Sequence, residues 1–561
     1  MAPRADEVRW DPGGYLWSVL EGRSRTAEGG EGGAVRLRLR WVPVLAALVL
    51  VAPAVALAHP PGAGRDRTFA ATAPDIDDPG PCTDEAAASM PDGDDHDHLD
   101  IDQHRFACRM RQVFFDGLGE ELGARRDVVL GEMDVKNDLA AVTVTFPEAG
   151  VVFFDVSDPA QPEFLSWYRG SQCEGLVTDV NCGAFVDLSS DATTAFLSTQ
   201  ALTFLPAGLP DLSLRPVSLP SVEVIDVRRP SAPRLAQIYP VISLGGVHTS
   251  RSHVVPSGST QGGARAPGEY VFSVANGLGL EISRLDHSGG APRLSKVSRL
   301  RIDDVHDTFI QNDELTGRTY LYVAAGFESG AYVYDVTDPA QPELLAEWDL
   351  TPQCSADWYA HTIDVVVRDG RRSLTLDAES LDLGPQPAAE QARGCGEVQG
   401  NGDKPGPLWI VDASDFSALG PAQDTGNDAV DELRAASEAA LVATWTNSAG
   451  RPGGDLRFSA HNQQIVGDTI YLSHYHGGVY VLDASGAFAG RSERPRELGV
   501  VVPHGDEVRP STEPLIQPLI GFFGEIERDR PMIWDAVFYQ GYVLAADMRG
   551  GLYSFQYEGD S

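Results

Sequence analysis

The chain has 561 residues, 42% of them hydrophobic, and a formal net charge of −38. That hydrophobic content is ample for a sizeable core. The acidity excludes a generic nucleic-acid binder, which needs a basic face, and argues against electrostatic docking on anionic lipid.

In chain order, residues 1–34 are a polar, Gly-rich leader of a kind unusual ahead of an export signal, and Val35 fits as the true start. Arg36, Arg38 and Arg40 then precede the apolar run 41–58, which ends in Ala56-Leu57-Ala58. Positive flank, apolar stretch and small-residue end are the order of a secretory signal peptide. Residues 35–58 are therefore the predicted signal, with cleavage after Ala58 and a mature protein that is secreted or held at the cell surface. The run is short for a bilayer span and holds Pro43 and Pro53, so no stable membrane span is expected after cleavage.

Residues 59–110 read as a linker, Pro-, Ala- and Asp-rich at first and then Asp/His-rich in MPDGDDHDHLDIDQH. His96, His98 and His104 with the surrounding aspartates are candidates for holding calcium or zinc, although the spacing is not that of an EF-hand. The alternative is a solvated acidic segment. All six cysteines lie beyond the signal, and an even number in an exported chain predicts disulfides. Neighbourhood in sequence favours Cys82–Cys108, Cys173–Cys182 and Cys354–Cys395.

From residue 111 to the end, a strand pattern returns seven times. Its copies start at Gly150, Ser221, Gly279, Gly330, Pro407, Gly478 and Gly551, and each reaches a polar marker: Asp155, Asp226, Arg284, Asp335, Asp412, Asp483 and Gln556. The runs are rich in Val, Ile, Phe and Tyr and stop at Asp, Ser and Pro, which is strand composition ended by turn chemistry. The spacing is too long for a helical solenoid and suits a four-stranded propeller blade with variable loops. The fourth copy displays a whole blade in residues 304–311, 319–326, 331–337 and 344–350. The last copy shows only three strands, and RQVFFDG at 111–117 is the expected donor of the fourth, which would close the ring and remove its open edge. The prediction is an all-β, seven-bladed β-propeller over 111–561, with the N-terminal strand closing the last blade. Two insertions interrupt it: 368–406, expected to be a loop tied by a disulfide, and 427–442, expected to be a short helix ahead of the outer strand LVATWTN.

The segments at 150–165, 330–348 and 478–485, with strands of the LVIVD form running into DVSDPAQPE or its like, resemble the LVIVD-repeat proteins. These are expected propellers of bacterial and archaeal surfaces. The third and seventh copies depart from the pattern at Arg284 and Gln556. The resemblance implies an exported binding scaffold, and it names no ligand.

Chemistry is expected on the propeller axis, where the innermost strands converge. Aligning the seven inner strands gives a ring of Met133, Val186, His248, His306, His361, His461 and Trp534. Four histidines in four consecutive blades are a candidate metal site, because neutral imidazole binds iron, copper and zinc and rigid strands hold ligands in place. Asp307 and Asn462 follow two of them and are the expected outer-sphere partners. The structural alternative is that each imidazole hydrogen-bonds the neighbouring blade. His474 and His476, in SHYHGG, are a second group expected on the second strand of blade 6, where with His253 they would line a pocket mouth; a polar turn is the plainer reading. No phosphate-binding glycine loop, nucleophile elbow or HExxH is present. Two functions stand: an extracellular binding scaffold for a protein or small molecule, expected to be a monomer, or a metal-dependent oxidoreductase or oxygenase using the axial histidines. The cofactor candidates are a transition metal (Fe, Cu or Zn) or calcium.

Overall fold

The structure is a computed structural model that describes residues 106–558, except 120, 123–127, 147–149, 172–184, 200–219, 244–245, 257–266, 303–304, 327–329, 350–357, 381–405, 421–426, 447–458, 504–531 and 549–550. The leader, the signal, His96, His98 and His104 fall outside those residues. So does every cysteine except Cys108, and with them all three expected disulfides.

Seven antiparallel sheets make seven blades. Their inner strands are Val129–Lys136, Phe185–Leu188, Val247–Val255, Asp307–Asn312, Trp358–Arg368, Gln463–Val466 and Ile533–Tyr539. Each inner strand neighbours the next, and that of blade 7 neighbours that of blade 1, so the ring is closed. The third strands carry the repeat. Gly150–Asp155 is buried at all but its last residue, because blades pack on both faces of it and no solvent-facing alternation is needed. Apolar layers fill the gaps between blades, as where Trp348 of blade 4 meets Trp409 of blade 5 at 5.7 Å, edge to face.

The repeated aspartate is a turn device. Asp155, Asp335, Asp412 and Asp483 each accept the backbone N–H two residues on, at 2.9–3.0 Å, which ends the strand in an Asx-turn. The third copy keeps the device in another place. Its strand, Gly279–Asp286, runs on past Arg284, and Asp286 accepts the Ser288 N–H at 2.8 Å.

Closure is as the sequence predicts. Met110–Asp116 pairs with Leu552–Tyr557 as the outer strand of blade 7, Met110 opposite Tyr557 and Asp116 opposite Leu552. Gln556, which lacks the turn carboxylate, instead accepts a hydrogen bond from Arg111. The expected linker, however, ends early. Phe106–Cys108 pairs with Val502–Val500 as a fifth strand of blade 6, and Arg109 at φ 51° turns the chain from one blade to the next.

The insertion expected over 368–406 also begins later than its composition suggests. Asp369 and Gly370, at φ 48° and 78°, make a two-residue hairpin turn, and Arg371–Ser380 is the second strand of blade 5. The helix is present as Asn427–Ala440, and Ser437 ties it to blade 4 by accepting the Trp348 indole N–H at its carbonyl, 2.9 Å.

Candidate functional site

The inner strands of blades 3, 5 and 7 are disturbed where they reach the axis. Pairing shifts register between Val247 and Ser250, between Ala360 and Ile363, and between Ile533 and Asp535, so His248, His361 and Trp534 sit on bulges. Bulges re-aim side chains, and here they turn rings towards the axis. His306 and His461 lie just ahead of their strands, held by His306 N–H to Ala324 O at 2.9 Å and His461 N–H to Ser473 O at 3.1 Å.

The result is an arc of five rings. Successive centroids are 4.2 Å apart for His248 and His306, 4.1 Å for His306 and His361, 4.0 Å for His361 and His461, and 4.0 Å for His461 and Trp534. The Nε2 atoms of His248 and His306 are 3.2 Å apart. Further along, the Nδ1 atoms of His361 and His461 each lie 2.7 Å from a backbone carbonyl of the next blade, His461 O and Trp534 O. A carbonyl only accepts, so both rings carry their proton on Nδ1 and present a bare Nε2. In His461 that nitrogen is buried and has no hydrogen-bond partner.

All four imidazoles are neutral. Burial lowers His248 to about 4 and His361 to about 3. It pushes His306 and His461 well below the ordinary histidine range, and neighbouring imidazoles add to the effect.

Blades 1 and 2 do not complete the ring with Met133 and Val186. The shift between Leu130 and Met133 puts Gly131 and Glu132 on the bulge and sends Met133 into the blade core beside Val142, and Val186 is likewise in the core. The expected outer-sphere residues are also differently employed. Asp307 is committed to Arg251 at 2.9 Å, and Asn462 to Glu132 and Thr362, so carbonyls rather than carboxylates orient the rings.

Three residues join the site that sequence reasoning missed. Tyr475 packs at 5.0 Å on His461, and its hydroxyl donates to Glu379, whose other oxygen is 3.7 Å from His361 Nε2. Glu132 accepts the Trp534 indole N–H at 3.1 Å and is pushed well above the carboxylate range by burial and then by the charge of Asp535. A sequence signal existed for Tyr475, flanked as it is by two histidines and two glycines. None marked the two glutamates.

His474 and His476 leave the strand. The second strand of blade 6 ends at Ser473, and both histidines are buried in the following turn, His474 edge-on to Trp445 at 5.7 Å and to Tyr480 at 5.4 Å. His253 does not meet them. It lies on the same strand as His248, five residues along, where burial lowers it and Lys136 is a neighbouring charge.

At that second level the axis is charged. Lys136 lies 2.9 Å from Asp134 and 3.2 Å from Asp187, and Arg251 pairs with Asp307. Carboxylates also fasten blade to blade: Asp134 accepts the Leu188 N–H at 2.7 Å, Asp187 that of Ser252 at 2.6 Å, Asp364 that of Ile465 at 2.8 Å, and Asp535 that of Met133 at 2.8 Å. Among the described residues, no group of three or more His, Cys, Asp or Glu side chains is drawn together as a ready-made metal cage, and no helix is long and apolar enough to cross a membrane.

No protein-family model and no curated protein matches the chain. Among solved structures it is similar to Sqt1 of Saccharomyces cerevisiae, at 10% identity over 78% of this chain and 97% of that one, with a TM-score of 0.40. It is similar to the Cps50 (Swd1) β-propeller domain of Myceliophteria thermophila, at 10% identity over 77% and 98%, TM-score 0.39. It is also similar to the periplasmic gluconolactonase PpgL of Pseudomonas aeruginosa, at 13% identity over 65% and 82%, TM-score 0.39. At this distance none of them bears on what the axis does.

Proposed function

We propose that the chain is an exported propeller of the LVIVD type that works outside the cell as a binding scaffold, with the histidine end of the axis as its binding site. The observation that carries this reading is His461 Nε2, a lone pair buried without a partner in an arc of neutral imidazoles. A buried acceptor left unsatisfied is unfavourable by about 1–3 kcal/mol, and a ligand that takes it removes that penalty. The signal pattern and the even number of cysteines support export.

The test has two parts. N-terminal sequencing of protein recovered outside the producing cell should begin near His59; protein kept inside with residues 1–58 intact rejects export. Native mass spectrometry of that protein should then find a bound mass that His461→Ala removes, and a bare chain rejects the scaffold reading.

A second reading, a metal-dependent oxidoreductase or oxygenase, is favoured by one feature: carbonyl-fixed Nδ1 protons on His361 and His461, which leave Nε2 as the donor atom. Nitrogen donors suit iron, copper or zinc far better than calcium, which takes oxygen. Stoichiometric iron or copper with oxygen uptake would support this reading, and their absence from the purified protein would reject it.

A further inference from the structure

The geometry points to a seat for one first-row transition-metal ion between His248 and His306, a deepening of the reading above that makes the axial ligand a metal. The two Nε2 atoms are 3.2 Å apart, a hydrogen bond in which one ring donates to the other, while their ring centroids are 4.2 Å apart, so the rings lean together at their nitrogen ends and a metal would take the place of the shared proton. With metal–nitrogen bonds of about 2.0–2.1 Å, a separation of that size subtends about 100–105° at a metal, close to the tetrahedral angle. Two imidazoles at that spacing form one edge of a tetrahedron.

The surroundings suit the same ligand. His306 packs at a tilt against His361, and His361 against His461, so two more imidazoles stand next along the arc with Nε2 as their unprotonated atom. The buried, unpartnered Nε2 of His461 is a second sign of a missing electrophile, independent of the pair. Glu379 beside His361 places a carboxyl group near the seat. His248 and His306 are only half-buried, whereas His361 and His461 are 3% and 1% exposed. A metal therefore enters at the pair, and His361 joins by swinging its ring off Glu379.

Cobalt(II) alone is the probe, added to the metal-stripped mature protein. One equivalent should bind with the intense visible bands of a tetrahedral site, and zinc should displace it. His248→Ala and His306→Ala should each lose stoichiometric binding while circular dichroism stays unchanged, and His253→Ala should keep it. If the alanine variants fail to fold, the wild-type spectrum decides: no stoichiometric uptake, or only weak octahedral bands, overturns the seat. Binding retained in both alanine variants, or lost in His253→Ala, also overturns it. No cobalt uptake together with a non-metal mass removed by His461→Ala rejects the metal and keeps the axial binding site. Neither cobalt nor any bound mass rejects both.

Discussion

Two levels of one axis, reached by the same inner strands, deal with polarity in opposite ways. At the level of His253, Arg251 and Lys136, buried carboxylates are balanced by cations and by backbone N–H groups of the next blade. At the level of His361 and His461, neutral rings are fixed through Nδ1 by carbonyls of the next blade, and His461 Nε2 is left without a partner. The first level is dominated by ion pairs and carboxylate-to-backbone bonds and reads as a girdle that fastens blades, although His253 Nε2 there is also buried without a hydrogen-bond partner. The second carries acceptors that the protein itself does not use, and unsatisfied buried groups are where a ligand is to be sought. Burial alone does not make a histidine functional: His474 is as buried as His461 but lies edge-on between Trp445 and Tyr480, inside a blade.

Both levels exist only while the ring is closed. Deleting residues 59–117 removes the outer strand of blade 7 and the fifth strand of blade 6, and exposes the layer of Tyr553, Phe555 and Val501. Cooperative thermal unfolding should disappear. An unchanged melting curve would show that closure is dispensable.

The next largest effect separates the two levels. Arg251→Met leaves Asp307 and its neighbours without their cation, and breaking a buried pair from one side costs about 3–5 kcal/mol, here towards the lower figure because the guanidinium is partly solvated. Denaturant titration should show that loss, with histidine-level ligand binding retained in the surviving folded protein.

Acid should act on the histidine level. Above pH 6.5 the His361 imidazole is neutral in both folded and unfolded chains and contributes no pH dependence. As pH falls below 6.5, the unfolded chain takes up a proton that the folded site refuses until about pH 3, so stability declines with acid across that window. Asp187 and Asp364, raised by burial to about 6 and about 7, act in the opposite sense, binding protons on folding as pH falls. His361→Gln should isolate the histidine contribution: its stability should fall less than that of the wild type between pH 6.5 and pH 4, by about 3 kcal/mol. Parallel pH curves for the two proteins would mean that the folded ring takes up its proton over the same range as the unfolded one.

The smallest effect belongs away from the axis. Asp155→Ala removes one solvent-facing turn bond to the Ser157 N–H and should lower stability by about 1 kcal/mol or less, with the axis untouched. A larger loss, read by the same denaturant titration, would give the repeated aspartate a role beyond ending its strand.

The sequence by itself determined the blades. Strand composition and turn chemistry are local, so the third strands, the closing strand (expected at 111–117, found at 110–116) and the placing of the four histidines at the inner strands are legible from the sequence. Local chemistry was also overlooked where composition masked it, as at Asp369-Gly370, whose hairpin was read as a loop. Only tertiary structure decided which residues share the axis. A bulge moves its strand's side chains off their simple alternation, and so it replaced Met133 by Glu132. Glu379 and Tyr475 reach His361 and His461 from other strands and turns, across separations that no local pattern encodes. The tautomer of the His361 and His461 imidazoles, with the proton on Nδ1, depends on a carbonyl supplied by the next blade. That carbonyl comes into reach only once neighbouring blades have packed together.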